Sequence, residues 1–128
     1  MKRQDALYVA MCVGAIAFCI AFVLPSFVTM PVAWYLPLDR GWELTAKPTV
    51  LGLDFYGRCA QGLAGWAIAV IASLAVTKRM KSDLSSRMAG LLAAWTIGMI
   101  VLCIMYFVWT LVFRVPTPAP LPTWYIPR

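Results

Sequence analysis

The hydrophobic residues of this chain are gathered in three long runs, at 6–24, 59–76 and 88–113, that contain no charged residue. Each run is close to, or longer than, the roughly 18 to 20 apolar residues that an α-helix needs to cross about 30 Å of hydrocarbon. The pattern predicts an all-α integral membrane protein with three transmembrane helices, over about 6–24, 56–77 and 88–113.

Composition agrees with the pattern. The chain has 128 residues, of which 62% are hydrophobic and 12% are charged, and its mean hydropathy is +0.81. These values lie outside the usual range of soluble domains, so we expect one membrane domain over residues 1–128. The first run also resembles a secretory signal peptide. Because residues 25–34 offer no small-x-small cleavage site, we expect this run to stay in the protein.

The positions of the bases predict the topology. Lys2 and Arg3 precede the first run, and four more bases fill the short turn at 78–87. Lysine and arginine are enriched in cytoplasmic loops, so we expect a cytoplasmic N-terminus and an extracytoplasmic C-terminus, in a bacterial inner membrane. The bases of the other side are spread over a longer stretch: Arg40, Lys47, Arg58, Arg114 and Arg128. With the net charge of +6 divided between both sides, we expect no nucleic-acid partner.

All nine prolines fall outside the three runs, on the predicted extracytoplasmic side. Residues 25–54 combine prolines with aromatic residues, which predicts an irregular loop without a regular helix. Tryptophan prefers the headgroup layer of a bilayer, so we expect the loop to lie along the membrane surface. Trp34 and Trp42 are the predicted anchoring residues of this loop.

The last fifteen residues, 114–128, contain five of the nine prolines. Proline fixes φ and removes a hydrogen-bond donor, so we expect an extended polyproline II segment. Trp124 and Tyr125 near its end suggest docking on a neighbouring protein or on the bilayer surface. A frayed terminus that is merely rich in proline explains the composition equally well.

Small residues collect on one face of each predicted helix. They are Ala10, Gly14 and Ala17 in the first, Gly62, Gly65 and Ala69 in the second, and Gly90, Ala94 and Gly98 in the third. Small residues let helix backbones approach closely, so we expect these faces to be helix-packing surfaces. The short turn at 78–87 predicts that the second and third helices form an antiparallel hairpin, with the first packed alongside.

The sequence LDFYGR at 53–58 precedes the second run and groups Asp54, Tyr56 and Arg58. One interpretation is a catalytic or ion-binding pair of Asp54 and Arg58, with Cys59 and Gln61 nearby. The interpretation that we favour is a clamp at the start of the second helix. In it Asp54 caps the helix amides, Arg58 pairs with Asp54 at i+4, and Tyr56 lies in the headgroup layer.

Few residues suit catalysis or metal binding. The chain has no histidine, which removes the usual haem and zinc ligand and the commonest general base. Its four cysteines form no CxxC pair, and the three runs contain no ionisable acid or base. We therefore expect no enzymatic activity, no metal site and no cofactor ligated by this chain. Contact with bound lipid or pigment is compatible with its aromatic residues.

These observations favour a non-catalytic accessory subunit of a larger membrane assembly, with larger membrane-protein subunits and lipids as partners. Energy-transducing complexes, photosynthetic or respiratory, are frequent hosts of such small subunits. The alternative is a small transporter or channel protomer that forms a pore as a homo-oligomer, although it would need more polar lining residues than the sequence offers. A membrane thiol oxidoreductase ranks third.

Overall fold

The computed structural model describes residues 2–37, 39–46 and 53–113. The described residues form three α-helices, α1 (Arg3–Val23), α2 (Phe55–Thr77) and α3 (Ser86–Val112), and two β-strands, β1 (Val32–Leu36) and β2 (Gly41–Thr45). All three helices are long and apolar enough to span a membrane. Their ends lie within three residues of the predicted bounds. The tail at 114–128, with Trp124 and Tyr125, lies outside the described residues.

The helix α1 is the central element of the bundle. It packs along α2 and also along α3, whereas α2 and α3 have no extensive contact with each other. Towards the C-terminus of α1, Phe18 lies against Gly62 of α2, whereas Gly14 lies against Val70, so α1 and α2 are antiparallel. At the opposite end the Tyr8 hydroxyl donates a hydrogen bond to the Ala89 carbonyl of α3 at 2.9 Å, so α1 and α3 are parallel. α2 and α3 are therefore antiparallel, as expected, but the expectation that they pack directly on each other is wrong, because each packs mainly on α1.

Close packing between α1 and α2 explains this arrangement. At Gly14 of α1, an added Cβ would lie 2.7 Å from both Trp66 Cδ1 and Val70 Cγ2. At Gly62 of α2, it would lie 2.8 Å from the Phe18 ring. A large side chain of each helix therefore rests on a glycine of the other, and a larger residue at either glycine would force that side chain to move.

The helix α3 uses a different side for its contact with α1. The rings of Phe22 and Phe107 meet with centroids 6.3 Å apart. The small residues of α3 lie elsewhere: a Cβ added at Gly90 or Gly98 would have no neighbour within 4 Å, and Ala94 is exposed. The small-residue face of α3 therefore has no neighbour among the described residues.

The segment between α1 and α2 contains a β-hairpin, which corrects the expectation of an irregular loop. The strands β1 and β2 are antiparallel and place Tyr35 opposite Trp42. Their sequences, VAWYL and GWELT, contain the aromatic and β-branched residues that favour strands. Pro31 and Pro37 lie just outside β1, where proline interrupts no ladder hydrogen bond. The prolines argue against a helix here, but strands fit between them.

The hairpin is extended by a short third segment. The Leu53 amide donates to the Tyr35 carbonyl at 2.8 Å, and the Tyr35 amide donates to the Leu53 carbonyl at 3.0 Å. Leu53 comes two residues before α2 begins. The hairpin is thereby fixed beside the first turn of α2.

Candidate functional site at the hairpin end of the bundle

The bundle has two different ends. The hairpin end carries the β-hairpin, the C-terminus of α1 and the N-terminus of α2. The basic end carries Lys2, Arg3 and the turn at 78–87. The residues that the sequence singled out for chemistry, Asp54 and Arg58, lie at the hairpin end.

Arg58 joins two elements at the hairpin end. Its Nε donates a hydrogen bond to Asp54 Oδ2 at 2.6 Å, which makes the predicted i,i+4 ion pair. Its Nη1 donates to Ser26 Oγ at 2.5 Å, just after α1. The side chains of Arg58 and Asp54 are 21% and 30% exposed. The guanidinium therefore connects the start of α2 with the end of α1. The sequence pattern did not reveal its contact with Ser26.

Asp54 does not cap α2 with its side chain, although it occupies the N-cap position. Its backbone is helical, with φ −88° and ψ −14°, whereas capping side chains normally come from extended backbone. The carboxylate turns to Arg58 instead. The expected hydrogen bonds from Asp54 to the helix amides are therefore wrong, while its charge still lies near the positive end of the helix dipole.

The hairpin rests directly on the first turn of α2. A Cβ added at Gly57 would overlap the carbonyl oxygen of Ala33 in β1, so only glycine permits this approach. Beside it, Tyr56 meets the ring of Trp42 edge to face, with centroids 6.3 Å apart. Trp34 donates its indole N–H to the Thr45 carbonyl at 2.9 Å, inside the hairpin. Of the two tryptophans, Trp42 is the exposed one, at 61%.

A cavity of about 400 Å³ opens beside the ion pair, between the end of α1, the start of α2 and the last turns of α3. Its polar side is formed by Ser26, Asp54, Arg58 and Thr110, and its apolar side by Phe22, Phe55, Tyr106 and Phe107. The three phenylalanine rings contact one another, with centroids 5.8 to 6.3 Å apart. The cavity therefore combines an aromatic wall with a neutralised charge pair.

The four residues of the possible reaction centre have different partners at this end. The Asp54 carboxylate accepts a hydrogen bond from Arg58. Gln61 turns to Met30, with its Nε2 at 3.6 Å from the sulfur, and its buried Oε1 has no hydrogen-bond partner in the described part of the chain. Cys59 is a half-buried free thiol that does not line the cavity. Asp54 and Arg58 thus pair with each other, whereas Cys59 and Gln61 do not join them in one site.

A pair of thiols lies elsewhere in the bundle. Cys19 of α1 and Cys103 of α3 interact with each other, and both border the same two apolar cavities between these helices. The sequence did not reveal this pair, because only the packing of α1 on α3 brings the two cysteines together. Within the described ranges, no group of three or more acidic, cysteine or histidine residues could hold a metal ion.

The exposed side of α3 forms a shallow apolar groove. It is lined by Leu91, Ala94, Trp95, Gly98, Met99 and Leu102. Trp95 is 68% exposed beside the open position of Gly98. The predicted packing residues thus fall into two groups: those of α1 and α2 lie on helices packed together, and those of α3 line or adjoin an open surface.

No protein-family model, curated protein or solved structure matches this chain.

Proposed function

We propose that this chain is an integral membrane protein that serves as a non-catalytic accessory subunit of a larger membrane assembly. The observation that carries the proposal is the contrast between its small-residue faces. Gly14 and Gly62 are covered by large side chains from the neighbouring helix, whereas Gly90 and Gly98 of α3 have open space around them.

Helices in lipid associate through close backbone approach, because apolar side chains gain little by leaving lipid for one another. A face with Gly90, Ala94 and Gly98 at successive four-residue steps offers such an approach. The groove beside it has Trp95 along one side, which gives the surface a specific shape. The proposed occupant is a transmembrane helix of another, larger subunit.

The rest of the molecule serves the same role. The hairpin, fixed on α2 through Gly57 and Arg58, presents the exposed ring of Trp42 to a neighbouring subunit or to the headgroup layer. Exposed rings such as Trp95 and Trp109 suit contact with lipid or pigment without ligating it. An energy-transducing complex, photosynthetic or respiratory, is the host class that we favour.

The charge distribution supports an orientation. The Lys2 amide donates a hydrogen bond to Asp83 Oδ1 at 3.2 Å, so the N-terminus and the turn at 78–87 meet at the basic end. Six bases are thereby concentrated at one end of the bundle. By the positive-inside rule, we propose that this end faces the cytoplasm of a bacterial inner membrane and that the hairpin end faces outward.

The test is to express the tagged chain in its host, extract it in mild detergent and identify the proteins that co-purify. Recovery with larger, unrelated membrane subunits in fixed stoichiometry is the expected result. Recovery solely as a homo-oligomer would refute the accessory role and favour a pore-forming protomer. The hydroxyls of Thr96 and Thr110 each donate to a carbonyl of their own helix at 2.8 Å, so the geometry does not favour a polar pore.

A further inference from the structure

A second cavity lies at the basic end, between the start of α1 and the end of α2. Its volume is about 550 Å³. It is lined by Arg3, Ala6, Leu7, Leu74, Thr77 and Lys78. Two cations, one from each helix, thus adjoin three apolar side chains within one concave surface.

The helices, and not a loop, define the shape of this cavity. Arg3, Ala6 and Leu7 lie in the first turns of α1, and Leu74 and Thr77 lie in the last turn of α2. Thr77 is buried, and its hydroxyl donates to the Leu74 carbonyl at 3.2 Å. Lys78 follows as the C-cap residue, with its amide bonded to the Leu74 carbonyl at 3.2 Å. The cavity is therefore preformed by two packed helices.

The charge around the cavity is strongly positive. Besides Arg3 and Lys78, the same end of the bundle carries four further bases, Lys2, Arg79, Lys81 and Arg87. Two acids, Asp5 and Asp83, are the acidic residues of this end. Neither acid lines the cavity, and Asp83 accepts a hydrogen bond from the Lys2 amide. The two cations of the cavity wall are thus not neutralised by a carboxylate in that wall.

We infer that this cavity binds the phosphate headgroup of an anionic phospholipid. Arg3 and Lys78 contact the phosphate from two sides, and Ala6, Leu7 and Leu74 contact the first carbons of an acyl chain. A ligand that is anionic at one end and apolar at the other contacts both the cations and the apolar side chains of the cavity. Free phosphate contacts only the cations. The inference rests on the proposed membrane location, which places the cavity at headgroup depth.

The proposed site differs from general attraction between a basic surface and an anionic membrane. General attraction depends on the total charge near the surface and not on which base supplies it. Binding at a specific site depends on the residues that line the site. Lys78 lines the cavity and Lys81 does not, although both are exposed lysines of the same turn. Lys78→Gln and Lys81→Gln therefore change the charge equally and the cavity unequally.

The experiment uses the full chain reconstituted in nanodiscs of phosphatidylcholine that contain a small fraction of phosphatidylglycerol. Native mass spectrometry, after gentle release from the disc, counts the lipids that stay bound. We expect the unchanged chain to retain one phosphatidylglycerol in preference to phosphatidylcholine. Lys78→Gln and Arg3→Gln should each lower this retention by about fivefold, which corresponds to about 1 kcal/mol, because each removes one of the two cations that line the cavity. Lys81→Gln should retain the lipid as the unchanged chain does.

The other outcomes overturn the inference. Equal loss in Lys78→Gln and Lys81→Gln would show general attraction, and displacement by millimolar inorganic phosphate would show a free-anion site. Equal retention of both lipids by the unchanged chain would refute the site without any variant. Failure of the chain to insert into lipid at all would instead refute the proposed membrane location. Circular dichroism of each variant in the disc verifies that the helices are intact.

Discussion

Two residues at the hairpin end, Arg58 and Gly57, hold the elements of the fold together. Arg58 divides its donors between Asp54 and Ser26, so that one guanidinium connects the start of α2 with the end of α1. Gly57 lets the backbone of β1 lie directly on α2. The spacing of Asp54 and Arg58 made their pairing predictable. The contact with Ser26 was not predictable, because it joins residues that are adjacent only in the fold.

The close approach at Gly57 leads to the first prediction. Gly57→Ala should destabilise the chain by about 1 to 3 kcal/mol, because the added Cβ overlaps the Ala33 carbonyl and the backbones of β1 and α2 must separate. Equilibrium unfolding in detergent measures the loss. Separation of the hairpin should also shift the fluorescence emission of Trp42, whose ring contacts Tyr56.

The matched control is Gly90→Ala. Gly90 is also a helical glycine, but a Cβ there would have no neighbour within 4 Å. Alanine is a better helix former than glycine by about 1 kcal/mol, so this variant should be as stable as the unchanged chain or slightly more stable. Equal stability of Gly57→Ala and Gly90→Ala would contradict the contact between β1 and α2.

A double-mutant cycle tests the ion pair. Asp54→Asn, Arg58→Gln and the double variant should show a coupling of about 1 kcal/mol, because the pair is well aligned but its side chains are 21% and 30% exposed. The free energies of unfolding of the four proteins give the coupling. Ser26→Ala should couple with Arg58→Gln but not with Asp54→Asn. Additive effects of Asp54→Asn and Arg58→Gln would show that the pair contributes nothing.

At the scale of elements, the sequence predicted what depends on local pattern. Runs of apolar residues are sufficient to locate α1, α2 and α3, because their length and composition are visible without any partner. The β-hairpin was missed because its strands are only five residues long and are flanked by prolines. The central position of α1 was missed because the short turn at 78–87 suggested direct packing of α2 on α3. Hydropathy does not describe the shape of a side chain. It therefore cannot show that a large side chain such as Trp66 fits over Gly14.

The packing of α1 on α3 predicts a specific cross-link. A short thiol-specific bifunctional reagent should join Cys19 to Cys103, because the two thiols are neighbours. Trypsin can cut after the exposed bases of the turn at 78–87, which separates α3 from α1 and α2. The fragments should then stay joined on a non-reducing gel. Cys103→Ser should abolish the joined product, whereas Cys59→Ser should leave it unchanged. If the unchanged chain gave no joined product, that result would contradict the packing of α1 on α3.

At the scale of the whole molecule, two variants separate folding of the chain from its proposed association with a larger subunit. Gly65→Leu adds a side chain where even a Cβ would lie 3.0 Å from the Ala21 Cβ, so it should destabilise the isolated chain and thereby reduce assembly. Gly98→Leu adds the same side chain where no atom lies within 4 Å. The isolated chain should then unfold as the unchanged one does, while the yield of the complex in mild detergent should fall at least about fivefold, since a closely packed helix face is lost. Unfolding measurements and co-purification on the same samples distinguish the two effects. Normal complex yield with Gly98→Leu would show that a partner, if present, binds another surface, because a leucine could not fit within a close contact at that position.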